Sequence, residues 1–163
     1  MIMDEKTEEI SREGKYLTFS LGTEQYGIGI LKIKEIIGMM PVTALPQAPD
    51  YMKGVINLRG KVIPIVDLRT KFAMPTQAET ERTCIIVVEV AGRGTQCLTG
   101  LVVDGVSEVL NIKSEQIEAH SSLGDLHSES VLGLAKMESG VKILLDIDQV
   151  INSETSAALQ LAA

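Results

Sequence analysis

Few residues in this chain are of a type that does chemistry, and their spacing limits what they can do. Two cysteines, Cys84 and Cys97, and two histidines, His120 and His127, are the candidate nucleophiles, bases and metal ligands. Nucleophilic catalysis needs a Ser or Cys beside a base. No recognisable base accompanies either cysteine, and no Gly-x-Ser-x-Gly occurs. Both cysteines lie in apolar, strand-like runs and read as small buried thiols that could face each other across a hairpin. They are not a CxxC pair and are too few for a disulfide framework. The histidines fall with Asp125 in the polar stretch 119–130, with no HExxH, and read as a solvated loop. Asp146 and Asp148 could pair as carboxylates, but Asp146 reads better as a helix N-cap mirroring Asp67. Gly54 to Lys61 misses the phosphate-loop pattern, because its glycine spacing is wrong and Val62 stands where a hydroxyl would meet magnesium. No metal, cofactor or catalytic site is therefore expected.

The remaining candidate chemistry is recognition. Residues 54–68 (GVINLRGKVIPIVDL) read as two short apolar strands joined at Arg59-Gly60, with one cation at the tip and Asp67 able to start a helical turn. Arginine at such a place makes forked hydrogen bonds and is over-represented at interface hot spots. Glu35, in the segment 32–37 (KIKEII), is its complementary acid. The two could simply pair with each other.

The elements that must hold these residues are mostly strands. Strand signals begin at Lys15 and resume at Gln25 after a Gly22-Thr23-Glu24 turn. Residues 31–37 fit neither a helical nor a strand period cleanly. Pro41, Pro46 and Pro49 make 41–49 a stiff connector, and 49–52 reads as one helical turn. After the hairpin comes a turn through Phe72 and a polar loop over 74–82. Further strands are expected over 84–90, 97–103, 106–110, 131–137 and 141–147, with Asp104-Gly105 marking a turn or bulge. Residues 1–13 and the tail from 153 read as flexible flanks around one domain, 14–152.

The halves resemble each other. Gly27, Ile28, Ile30, Ile33, Glu35, Ile36 and Ile37 match Gly100, Leu101, Val103, Val106, Glu108, Val109 and Leu110 at one constant offset. Gly54, Asp67 and Leu68 match Gly133, Asp146 and Ile147 at another. Such self-similarity predicts a duplicated unit, and a unit of this length suits a small barrel of about five strands. Asn57 and Arg59 correspond to Lys136 and Glu138, so the scaffold repeats while the tip reverses charge. That divides Gly54, Asp67 and Leu68, which hold the scaffold, from Asn57 and Arg59, which face a partner.

Composition narrows the partners. Hydrophobic residues are 45% and aromatics 3% of the 163 residues, so the core must be aliphatic. A net charge of −7 with no basic run argues against nucleic acid and against an anionic membrane surface. No run approaches a membrane span, and acids stand where a signal peptide carries bases. The expectation is a cytoplasmic protein without membrane insertion.

The order and spacing of four segments resemble the CheW family of bacterial chemotaxis coupling proteins. They are 16–21 (YLTFSL) with 25–28 (QYGI), 33–37 (IKEII), 53–69 (KGVINLRGKVIPIVDLR) and 100–109 (GLVVDGVSEV). The resemblance implies a mainly β fold of two intertwined five-stranded SH3-like barrels with short helices, and no enzymatic activity. It implies a scaffold joining the cytoplasmic tips of methyl-accepting chemoreceptors to the regulatory domain of the histidine kinase CheA, recruited to receptor arrays and placing kinase autophosphorylation under receptor control. It assigns protein binding to Ile33, Glu35, Gly54, Val55, Asn57 and Arg59, and to Val103, Val106 and Val109 along a groove between the subdomains.

Overall fold

The structure is a computed structural model and describes residues 12–75, 77–91, 96–119 and 130–152. Eleven strands and two short α-helices follow in the order β1 (Gly14–Leu21), β2 (Glu24–Gly29), β3 (Ile33–Gly38), β4 (Met52–Leu58), β5 (Lys61–Asp67), α1 (Leu68–Lys71), β6 (Cys84–Ala91), β7 (Gln96–Val103), β8 (Gly105–Ile112), β9 (Ile117–Ala119), β10 (Val131–Met137), β11 (Gly140–Leu145) and α2 (Ile147–Asn152). The ambiguous 31–37 segment resolves into a 3-10 turn, Ile30–Lys32, followed by β3. The helical turn expected at 49–52 is instead a single backbone turn leading into β4. The run 141–147 ends as a strand at Leu145, and Ile147 already belongs to α2. The polar stretch holding His120, Asp125 and His127, and most of both flanks, lie outside the described residues.

The strands form two sheets. One has the order β3-β6-β7-β5-β4, and the other β8-β1-β2-β11-β10-β9. Under the sequence repeat, β1, β2, β3, β4 and β5 correspond to β6, β7, β8, β10 and β11, and the first order maps onto the first five strands of the second. The registers repeat as well. Ile65 pairs with Gly100 where β5 runs parallel to β7, and Leu144 pairs with Gly27 where β11 runs parallel to β2. Bulges at Met52/Gly54 and Val131/Gly133 fall at matching positions. The duplication is therefore real at the level of hydrogen bonding. Each sheet takes strands from both halves, which is what makes the two units intertwined.

The second unit has one strand more than expected. Short β9 lies against β10, and in the first unit Thr43 takes the same place with a two-bond bridge to Val55. Both approaches need a glycine. A Cβ on Gly54 would lie 2.0 Å from the Thr43 carbonyl oxygen, and one on Gly133 would lie 2.7 Å from that of Glu118.

Burial explains the continuous apolar run of β6. Ile85 and Val87 join Ile56, Ile63, Ile65 and Val102 inside the first unit. Ile86, Val88 and Val90 point the other way, onto Leu17, Phe19, Leu21, Tyr26 and Ile28 of the second sheet. A strand covered on both faces has no polar side to alternate. The central core between the sheets also receives Leu68, Ile147, Val150 and Ile151 from the helices. Its few rings stack: Tyr26 lies 5.8 Å from both Phe19 and Phe72.

Candidate protein-binding site

The β4–β5 hairpin turns through Arg59 (φ 51°) and Gly60 (φ 88°). Two successive positive φ values make a type I′ turn, whose twist suits two-residue hairpins. A left-handed arginine costs about 1–2 kcal/mol of local strain. Asn57 offsets part of it, because its Oδ1 accepts a 2.8 Å hydrogen bond from the Gly60 amide. Asn57 is thus a turn residue as well as an exposed one.

The guanidinium of Arg59 forms a hydrogen-bonded ion pair with Glu35 of β3. β3 and β4 are the two edges of their sheet. The pair therefore draws the hairpin tip towards the far edge and curls the sheet like a barrel, although the backbone ladder does not close. The Arg59 side chain is 69% exposed and that of Glu35 33%. They stand at the rim of a groove of about 550 Å³ lined also by Lys34, Leu58, Lys61, Ile63, Glu89 and Leu98. Lys34 pairs with Glu89 at 2.6 Å. The groove is an apolar floor under alternating charge, a form suited to a polypeptide partner. Among the described residues, no cluster of three metal-ligating side chains occurs.

The other expected residues divide by burial. Val55 is half-buried on the outer face of the hairpin opposite Pro64, with its backbone tied to Thr43. Gly54 is buried beneath that contact. Ile33 and Val106 pack against the central core. Val109 is 49% exposed on β8, whereas Val103 is 1% exposed. Val103 is a core residue, so its expected place along a partner groove is corrected: the alternation of β7 turns it inward. The cysteines are likewise corrected as a facing pair. Cys84 lies opposite Val103 and Cys97 opposite Val90, at opposite ends of the β6–β7 ladder. Six residues of strand span about 20 Å, far beyond disulfide reach. The reading of both as buried thiols is corrected too: Cys97 is exposed and Cys84 half-buried, and desolvation raises the Cys84 thiol pKa.

A family model for the CheW-like domain matches residues 15–155. The chain belongs to the CheW-like family. It is 42% identical over 144 residues to the chemotaxis protein CheW of Klebsiella aerogenes, covering 88% of this chain and 84% of that one. It is 27% identical over 144 residues to the CheW of Thermotoga maritima, covering 88% and 91%. The crystal structure of the scaffolding protein TtCheW from Thermoanaerobacter tengcongensis superposes with a TM-score of 0.76 at 32% identity, over 85% of this chain and 92% of that one.

Two further charged contacts of this CheW-like fold were not visible in the sequence pattern. Arg69 of α1, with a side chain only 9% exposed, forms a two-point pair with Asp104 in the bend between β7 and β8. It also donates to the Pro75 carbonyl at 2.8 Å and to Gln77 at 2.5 Å. The hydrogen bond to Asp104 raises the Arg69 pKa further. Desolvation works to raise the Asp104 pKa, but the bonds from Arg69 and from the Gly22 amide, with the Arg69 charge, hold it below the ordinary carboxylate range. At the corresponding place in the other half, Asp148 of α2 bonds Lys32 at 2.6 Å and the Ala91 amide at 3.0 Å. The repeat itself was the available signal, since Arg69 and Asp148 occupy matching positions.

Proposed function

We propose that this chain is a non-catalytic chemotaxis scaffold that couples chemoreceptors, at their cytoplasmic tips, to the regulatory domain of the histidine kinase CheA. It thereby places CheA autophosphorylation under receptor control. The observation that carries this reading is the 42% identity to a chemotaxis protein CheW across nearly the whole chain. The scaffolding role named for the TtCheW structure supports it. The geometry agrees, because the candidate site is a charged groove rim and a half-exposed strand face. No helix among the described residues is long and apolar enough to cross a membrane. The proposed location is the cytoplasm, at receptor arrays. Glu35, Arg59 and Val109 contact partners directly. Ile33, Gly54, Val55, Asn57 and Val106 shape the surfaces that present them.

A scaffold acts by proximity. Each micromolar contact is worth about 8 kcal/mol, and tethering turns the next contact into an intramolecular one. The test is receptor-stimulated CheA autophosphorylation in membranes carrying receptors, with and without this protein. Stimulation dependent on the protein is expected. Failure to bind any cognate CheA regulatory domain would overturn the proposal.

A further inference from the structure

A duplicated chain has an ambiguity that a single unit lacks. β2 and β7 occupy equivalent places, and so do β5 and β11. Each of β5 and β11 therefore has two candidate parallel partners. The structure pairs β5 with β7 and β11 with β2. The registers express no preference, because Ile65 against Gly27 and Leu144 against Gly100 would set an aliphatic side chain on a glycine just as the observed pairs do. Patterning is nearly silent as well: Val66 meets Leu101 and would meet Ile28, and Leu145 meets Ile28 and would meet Leu101, with Gln25 opposite Lys142 the one polar pair.

Charge does distinguish them. The helix after β5 carries Arg69, and the helix after β11 carries Asp148 at the matching position. In the observed arrangement Arg69 meets Asp104 at the β7–β8 bend, and Asp148 meets Lys32 at the β2–β3 turn. We infer that these oppositely signed latches select the exchanged topology, in which the β4–β5 hairpin sits on β7 of the other half and the β10–β11 hairpin on β2. In the unexchanged arrangement, β5 would lie on β2 and carry α1 to the β2–β3 turn, opposing Arg69 to Lys32. β11 would lie on β7 and carry α2 to the β7–β8 bend, opposing Asp148 to Asp104. Two attractions become two repulsions. Lys32 stands one residue beyond Leu31, the counterpart of Asp104, and its long flexible stem spans that difference. Penalising the wrong pairing as well as rewarding the right one is how specificity between similar partners is obtained.

The latches are unequal. Arg69 is nearly enclosed and has several partners, whereas the Lys32 and Asp148 side chains are 38% and 28% exposed. The weaker one can be inverted without disturbing the stronger. The double variant Lys32→Asp/Asp148→Lys retains an opposite pair at both junctions of the exchanged topology. It removes the repulsion from the unexchanged one, where Arg69 would now meet an acid and Asp104 a lysine. The control is Lys32→Gln/Asp148→Asn, which loses the ion pair and leaves an acceptor for the Ala91 amide. Both are refolded from denaturant, and native molecules are counted by interrupted unfolding. Proline-limited phases are common to both and cancel.

The inverted variant is expected to show a slow phase and a roughly tenfold larger non-native fraction at early times than the control, as about 1.4 kcal/mol of lost discrimination would give. A second arm needs no substitution. About 1 M NaCl shortens the screening length to roughly 3 Å and should bring out the same slow phase in the unaltered chain. Equal native yields for the inverted and neutral variants would overturn the inference, as would refolding of the unaltered chain that ignores salt.

Discussion

Arg59→Glu separates a partner contact from an internal brace. In the free protein Arg59 pairs with Glu35, and both side chains reach solvent. Such a pair contributes about 0–1 kcal/mol. Replacing Arg59 by Glu also sets two like charges near each other in a watery setting, which adds about 1 kcal/mol. The left-handed backbone at φ 51° disfavours both residues, so the turn adds little to the difference. The total loss of about 1–2 kcal/mol leaves a domain of ordinary stability folded. A hot-spot arginine, in contrast, is worth at least about 2 kcal/mol of binding, a factor of roughly 30 in affinity. The variant should therefore melt only a few degrees lower while losing most receptor-stimulated CheA autophosphorylation. The reciprocal variant Glu35→Arg/Arg59→Glu completes the cycle. It regains the internal pair and the melting temperature, yet should stay uncoupled, because a partner meets the charges transposed. Full coupling by the transposed variant would show that the pair serves only to curl the sheet, and normal coupling by Arg59→Glu would remove Arg59 from the site altogether.

Gly54→Ala should cost about 3 kcal/mol or more in thermal unfolding, since its Cβ would lie 2.0 Å from the Thr43 carbonyl at a φ of 144°. Asp104→Asn strands part of a nearly enclosed guanidinium and should lose about 3 kcal/mol at neutral pH by denaturant titration. The Asp104 pKa is depressed on folding, so its contribution is complete above the unfolded value of about 3.9 and fades as pH falls through the folded value. The variant and the wild type should therefore converge in stability below that range, and a constant gap down to the acid limit would contradict the assignment. With a thiol reagent at pH 8, Cys97 should react fast and Cys84 slowly, and mild oxidation should form no intramolecular disulfide on non-reducing gels.

The parts of the fold that depend on nearest neighbours were legible in the sequence. The alternating apolar positions of 54–68 with Arg59-Gly60 between them gave the hairpin, and Asp67 does cap the following helix, accepting from the Arg69 amide at 3.0 Å. Val131–Met137 is a strand with the expected bounds. The repeat was legible because glycines at tight approaches and acids at helix starts recur together. Strand exchange was expected from the family resemblance and not from the residues themselves, because the partners offered to β5 by β2 and β7 look alike when read locally. Val103 was placed on a partner groove by the family resemblance, and its own residue type gave no check, since in a strand buried on both faces inward and outward positions look alike. Three-residue β9 is too short to show a period. The Glu35–Arg59 pair was among the alternatives the residues allowed, but its bridging of two sheet edges appears only in three dimensions. Arg69 was singled out by no sequence motif, whereas α1 buries it against a bend 35 residues away.

The exchange of strands has a consequence for where the chain can be cut. The loop between α1 and β6 joins an amino-terminal piece holding β1 to β5 to a carboxy-terminal piece holding the rest. Each piece owns strands of both sheets and about half of the central core, with Phe19, Ile28 and Val66 on one and Ile86, Leu101 and Leu145 on the other. Neither can close a sheet alone. Severed there, the molecule becomes an obligate two-part assembly whose halves fold only on meeting, so that coupling activity would register the encounter of two separately made fragments.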